Sequence, residues 1–128
     1  MSWKEKLKSY EEDSLRIIEI SRHFLLEYHH CSEEEVDALM DVFFEKYESR
    51  VDEDYLHYVW SYRLAALIYL TMKEGYSFGK GNEELINRNW HNPPDEAMGY
   101  FRDHYFDSNW NNPFNYFPYT DKRRGGKG

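Results

Sequence analysis

The chain has 128 residues, of which 41% are hydrophobic and 19% aromatic. That composition excludes an intrinsically disordered chain and suits one domain able to bury its own core. Formal net charge is -8, and the last seven residues hold four of the positive charges, Lys122, Arg123, Arg124 and Lys127. The remaining 12 basic residues face 24 acidic ones, a balance that repels nucleic acid and anionic membrane and favours basic protein partners. We divide the chain into a single domain, residues 1–121, and a basic tail, 122–128, the one part suited to touching phosphate.

Cys31 is the lone cysteine, so no intramolecular disulfide forms and a reducing cytoplasm is the expected location. The first thirteen residues, MSWKEKLKSYEED, lack the apolar stretch of a signal peptide.

Residues 2–31 read as a first helix. Ser2 with Glu5 and Ser9 with Glu12 both have capping-box spacing. The second is the expected start, because Lys4, Lys6 and Lys8 oppose the positive end of a helix dipole. Leu15, Ile18, Leu25 and Tyr28 lie near one face. Ser32 with Glu35 opens a second helix, to about Ser49, on which Val36, Leu39, Met40, Phe43, Phe44 and Tyr47 keep an unbroken helical period. Next, Asp52 to Gly75 reads as one long central helix, apolar nearly all round and therefore enclosed by the others. Asp52 is its predicted N-cap and Gly75 its stop. Arg63 interrupts its apolar run, leaving too few residues for a membrane span.

After Gly75, the glycines of GYSFGKGN predict a loop, and Asn82 is the expected cap of a short helix from Glu83 to about Asn89. An N-W-x-N-P motif then occurs twice, at Asn89–Pro93 and Asn109–Pro113. In each copy Asn is expected to cap, Pro to take the first helical position and Trp to anchor the turn. The first copy launches a helix through Asp95 and Tyr105. The second leads into FNYFPYTD, expected to lie extended across the bundle on Phe114, Phe117 and Tyr119, since Pro118 forbids a long helix. The predicted fold is all-α: a bundle of three long helices and two shorter ones, with an aromatic-rich irregular C-terminal segment packed on it.

Glu34, Asp37, Asp41, Glu45 and Glu48 form one stripe on the second helix at spacings of three and four. Like charges so placed destabilise a helix by about 0.2–0.5 kcal/mol per pair, and only Lys46 and Arg50 lie nearby in sequence. These five acids are the predicted partner-binding residues, a preformed acidic surface for a basic partner. Ser32 to Tyr47 resembles the acidic, glutamate-opened helix of the small colicin-type immunity proteins, helical bundles that cover a basic surface of a nuclease toxin. The resemblance is one of surface chemistry, and Tyr55 and Tyr58 do not carry over as recognition residues.

Arg16 to His23 and Arg50 to His57 are similar in spacing to the Arg-x(4–6)-His motif of the HEPN ribonucleases, also helical bundles. That resemblance implies phosphate chemistry by the arginine and the histidine, although Ile17 and Val51 stand where that family usually has a polar residue. Glu27 with His30, and Asp54 with His57, have the carboxylate-x-x-His spacing of di-iron bundles, but fall at opposite ends of an up-down-up bundle. His29, His30 and Cys31 lack a second ligand cluster. No metal and no cofactor are expected. Arg63, within the apolar arc, predicts an ion pair with an acid of the first helix such as Glu19, or else an anion pocket. The Asn/Trp/Tyr-rich C-terminal third can equally line a sugar- or peptide-binding surface.

No nucleophile, base and oxyanion donor assemble in the sequence, and there is no phosphate loop. The expected function is therefore a non-enzymatic acidic protein-binding module. Its specific form is an inhibitor of a basic protein partner, of the toxin-immunity, antitoxin or anti-defence type. A HEPN-like metal-independent ribonuclease or its inactive relative, and an oligomeric structural protein, are the alternatives.

Overall fold

The computed structural model describes residues 3–7 and 9–110, apart from the side chains of His57 and Tyr58. The second N-W-x-N-P copy from Asn111 onward, the aromatic anchors Phe114, Phe117 and Tyr119, and the basic tail lie outside the described residues. Among the described residues the chain is all-α, with helices α1 (Trp3–Lys6), α2 (Glu12–Tyr28), α3 (Glu33–Lys46), α4 (Glu53–Tyr58), α5 (Ser61–Met72), α6 (Phe78–Asn87) and α7 (Asp95–Tyr105). None is long and apolar enough to cross a membrane.

The centre is α5, packed against α2, α6 and α3; α2 also carries α7 and α4, and α1 sits on α3. Leu64, Ala65, Ala66, Ile68 and Leu70 are wholly buried, as the all-round apolar pattern predicts. The long central helix, however, is divided. Asp52 does cap, its carboxylate accepting from the Tyr55 N–H at 3.0 Å, but Val59 and Trp60 turn extended. Two physical causes combine. The run Tyr55–Trp60 is rich in aromatic and β-branched residues, which lose side-chain freedom in a helix. A 24-residue helix would also span roughly 36 Å against about 25 Å for α2, leaving apolar surface overhanging. The break instead turns α4 back onto the start of α2.

There the expected Ser9 cap is replaced. Glu53 of α4 accepts from the Glu11 N–H at 2.7 Å and from the Ser14 hydroxyl at 3.3 Å, so a carboxylate from another helix occupies the positive end of α2. Behind the break, the buried Ser61 hydroxyl donates to the Ile17 carbonyl at 3.1 Å. The start of α3 is as read: Ser32 accepts from the Glu35 N–H at 3.1 Å.

Three helix ends are closed by a left-handed residue, His30 at φ 56, Gly75 at φ 78 and Asn89 at φ 61. After each, the next N–H reaches back into the helix: Cys31 to the Leu25 carbonyl, Tyr76 to Leu70 and Trp90 to Leu85. Asn89 thus ends a helix rather than starting one, and Pro94, not Pro93, stands before α7.

The glycine-rich stretch is also helical. Ser77 caps α6 through the Lys80 N–H, while the Asn82 side chain, expected to cap, donates to the Phe78 carbonyl one turn back. Gly81 is where α6 touches α5: a Cβ there would lie 3.0 Å from Leu67 Cδ1 and 3.2 Å from Thr71 Cγ2. At Gly79 nothing lies within 4 Å. Gly81→Val should therefore cost about 1–3 kcal/mol by overpacking, whereas Gly79→Ala should gain up to about 1 kcal/mol of helix propensity; urea unfolding of the two variants measures both signs.

His29 closes the far end of α2, stacked on Tyr69 at 4.8 Å and edge-on to Trp90 at 5.0 Å. Burial, with His30 beside it, pushes its imidazole down to about 4. The native state keeps this ring neutral while the unfolded chain protonates it near the ordinary value. The stability it contributes is thus complete above that value and lost as pH falls from about 6.5 towards 4, a loss of about 3 kcal/mol. His29→Phe keeps the stacking and should flatten that part of the stability-versus-pH curve.

Candidate functional site

The acidic stripe, which runs along α3 to Glu48 just beyond its end, is partly taken up by neighbouring helices. Trp3 of α1 donates its backbone N–H to Asp41 at 2.7 Å and its indole N–H to Asp37 at 3.3 Å. Arg22 of α2 pairs with Asp37 at 3.0 Å, and Lys6 of α1 with Glu48 at 3.2 Å. Burial pushes the Asp37 carboxyl up, but the Arg22 guanidinium and the Trp3 indole more than offset this and leave it below its usual range. Charge therefore does not remain unrelieved, as local sequence suggests; cations arrive from α1 and α2. Such exposed pairs stabilise by only about 0–1 kcal/mol each. Trp3 and Leu7, each 2% exposed, hold α1 down. Glu34 and Glu45 stay exposed, on either side of Val42 at 55% exposure.

Arg63 does not meet Glu19. It lies half-buried in a cleft lined by Asp54, Tyr55, Val59 and Asn82, and Glu19 accepts from the Trp110 indole at 2.6 Å. The arginine built into the interior is Arg16. Its Nη1 donates to the carbonyls of His104, Tyr105 and Asp107 at 3.2, 2.7 and 2.8 Å. Its Nη2 reaches Glu12 at 2.9 Å, and the Trp110 ring lies 4.8 Å from the guanidinium. One planar fork thus ties α2 to the end of α7. Although Arg16 and His23 lie two turns apart on one helix, this guanidinium is committed to backbone and leaves little for a phosphate. Arg50 lies over Phe78 at 5.2 Å, and the His57 side chain is outside the described residues. Among the described residues no three His, Cys, Asp or Glu side chains group to hold a metal ion.

Two further features escape the sequence. The first is a cleft of about 430 Å³ between α1, α2 and α7. From α2, Glu19, Arg22, His23 and Leu26 line it, spaced as one helical face. On the α7 side, Tyr100 is stacked between two imidazoles: His23 at 3.9 Å and 2°, His104 at 3.7 Å and 16°. His104 Nδ1 lies 2.8 Å from the Tyr100 carbonyl. A carbonyl only accepts, so Nδ1 is the donor in this contact. Burial pushes the Glu19 carboxyl up and the His23 imidazole down. Trp3, Lys4 and Trp110 complete the lining.

The second feature is an aromatic ridge. Trp60 contacts Phe101 at 5.2 Å, Phe101 stacks on Tyr105 at 5.0 Å, and Tyr105 meets Phe106 edge-on at 5.0 Å. Trp60 is 46% and Phe106 72% exposed. The ridge ends beside a hollow lined by Glu12, Asp13, Arg16 and Asp107, in which Glu12 is paired with Arg16 while Asp13 stays exposed. The i, i+4 repeat of Phe101 and Tyr105 was visible in sequence, but the break that turns Trp60 outward was not.

Comparison with protein-family models, with curated proteins and with solved structures finds no match to this chain.

Arg16→Leu should destabilise the protein by about 3 kcal/mol, because the Tyr105 carbonyl loses its Arg16 donor, the His104 and Asp107 carbonyls keep only long backbone bonds, and the Glu12 carboxylate loses its ion pair. Arg16→Lys should recover only part of it, lacking the fork; urea unfolding followed by helix signal ranks the three proteins.

Proposed function

We propose that this protein is a non-enzymatic acidic binding module for a basic protein partner. The observation that carries this reading is the aromatic ridge whose ends, Trp60 and Phe106, are exposed, with the half-buried Phe101 and Tyr105 between them, running up to the hollow that Asp13 and Asp107 line. Monomeric proteins seldom leave contiguous aromatic surface in water, and Trp and Tyr are the residues on which binding energy concentrates. Acids at the end of the ridge, in a chain of net charge -8, select a basic partner and speed its arrival.

Glu34, Asp37, Asp41, Glu45 and Glu48 enter this reading unequally. Glu34 and Glu45 add to the long-range field, while Asp37, Asp41 and Glu48 also hold α1. The narrower reading is inhibition of a basic partner, in the manner of an immunity protein or antitoxin; small size and the acidic surplus support it. The helices serve in it as the rigid carrier, with α4 and α5 together as the divided central member.

The test is affinity capture from the native host with wild type, Trp60→Ser/Phe106→Ser, and Glu34→Lys/Glu45→Lys. A basic protein held by wild type, lost by the ridge variant and released by salt is the expected result, with the lysine variant weakened mainly at low salt. Retention unchanged by the ridge variant overturns the proposal. A wild-type mass that rises with concentration and falls back to monomer in the ridge variant would assign the ridge to self-association instead.

A further inference from the structure

The break at Val59–Trp60 also makes a cavity. Tyr55, Val59 and Arg63 are spaced i, i+4, i+8, so on an unbroken helix they would form one stripe along its surface. Parting α4 from α5 bends that stripe inward, and α6 supplies a third side where Gly81 brings it against Leu67 and Thr71. The result is a cleft of about 350 Å³ lined, among the described residues, by Asp54, Tyr55, Val59, Arg63 and Asn82. That is the size of a small-molecule site.

Two opposite charges share this cleft without meeting. Arg63 is half-buried and Asp54 exposed, yet neither side chain makes a hydrogen bond or an ion pair with another described residue. A guanidinium held partly out of water gains when an acceptor reaches it, and its planar fork matches a carboxylate. The neutral groups beside it are open as well. The Tyr55 hydroxyl has no hydrogen-bond partner among the described residues, and burial pushes its pKa up, so it remains a donor. Asn82 spends one N–H on the Phe78 carbonyl at 2.9 Å, which fixes its amide and leaves the oxygen to accept.

The pattern selects among ligands. A simple anion is disfavoured by Asp54 in the same cleft and by the net charge of -8. A simple cation meets Arg63. A zwitterion satisfies both walls and carries no net charge into the field of the protein. Val59 adds the one aliphatic contact.

We propose that the cleft binds a free aliphatic α-amino acid, its carboxylate on Arg63 and the Tyr55 hydroxyl, its ammonium on Asp54 and the Asn82 oxygen, and its side chain against Val59. None of these residues belongs to the aromatic ridge, so the site stands or falls apart from the protein-docking reading.

Calorimetric titration of the full chain with L-leucine, N-acetyl-L-leucine and L-leucinamide tests this, in about 0.15 M salt so that long-range attraction is screened. The three share a side chain; the second lacks the ammonium and the third the carboxylate. Leucine should bind tightest and the other two each about tenfold more weakly, the loss of one charge-assisted contact apiece. Arg63→Gln should weaken leucine and N-acetyl-leucine and leave leucinamide unchanged. Asp54 is exposed, so Asp54→Asn keeps the fold; it should weaken leucine and leave N-acetyl-leucine unchanged. Chemical-shift changes at the Asn82 side-chain amide and the Val59 methyls on adding leucine to wild type locate the site without any variant. The proposal is overturned by wild-type affinity for leucine no greater than for either derivative, by an Asp54→Asn protein that keeps the wild-type preference, or by no heat from leucine at millimolar concentration.

Discussion

Arg16 is the constraint on which the described structure most depends. Helix α7 buries just Ala97 fully among its eleven residues, with Tyr100, Phe101 and Tyr105 half-buried against the core, so its end is held by more than apolar burial. Its last carbonyls point at α2; those of His104 and Asp107 have only long backbone bonds, from the N–H groups of Asp107 at 3.5 Å and Trp110 at 3.3 Å, and that of Tyr105 is met by Arg16. A single guanidinium on α2 satisfies three of them at once, pairs with Glu12 and supports the Trp110 ring. Charged hydrogen bonds of this kind stabilise by about 1.5–3 kcal/mol each, enough to outweigh the desolvation of one arginine that keeps a carboxylate beside it. With the end of α7 pinned, its rotation about its own axis is set, and so is which side chain faces which neighbour.

The sequence yields the parts of this fold governed by local chemistry. Ser32 and Asp52 cap because a short acceptor followed by a helical period has one cheap conformation. The apolar period of α3 needs no long-range knowledge. Gly75 ends a helix because φ 78 favours glycine. What stays hidden is decided at a distance. The run from Asp52 to Gly75 reads as one helix because apolar residues on all sides keep any period; the break at Val59–Trp60 follows from the length of α2 and from the need for Glu53 at its start. Gly81 looks like a loop residue because composition cannot tell a flexible glycine from one that lets two helices touch.

The candidate sites were legible in the same uneven way. The stripe from Glu34 to Glu48 is a local pattern and easily found. Its partners come from α1 and α2: Arg22 lies 15 residues from Asp37 and Trp3 lies 38 from Asp41, while Lys6 pairs with the still more distant Glu48. Arg63 attracts notice because its neighbours are apolar, but Leu15 and Ile17 flank Arg16 just as closely. The difference is that the acceptors of Arg16 lie 88 to 91 residues further on. Glu19, Arg22 and His23 could have been marked as one polar face on a helix otherwise bound for the core. Nothing local says that Tyr100 and His104 complete it.

Two surfaces of opposite character share α7 as their wall. Residues 100 and 104 face the cleft, while 101 and 105 form the ridge; on a helix these pairs stand about 100° apart. A wall one helix thick, kept in register by a polar anchor as well as by its half-buried aromatics, transmits any rotation to both sides. Displacing the end of α7 from Arg16 would swing the Tyr100–His104 stack and the Phe101–Tyr105 pair together.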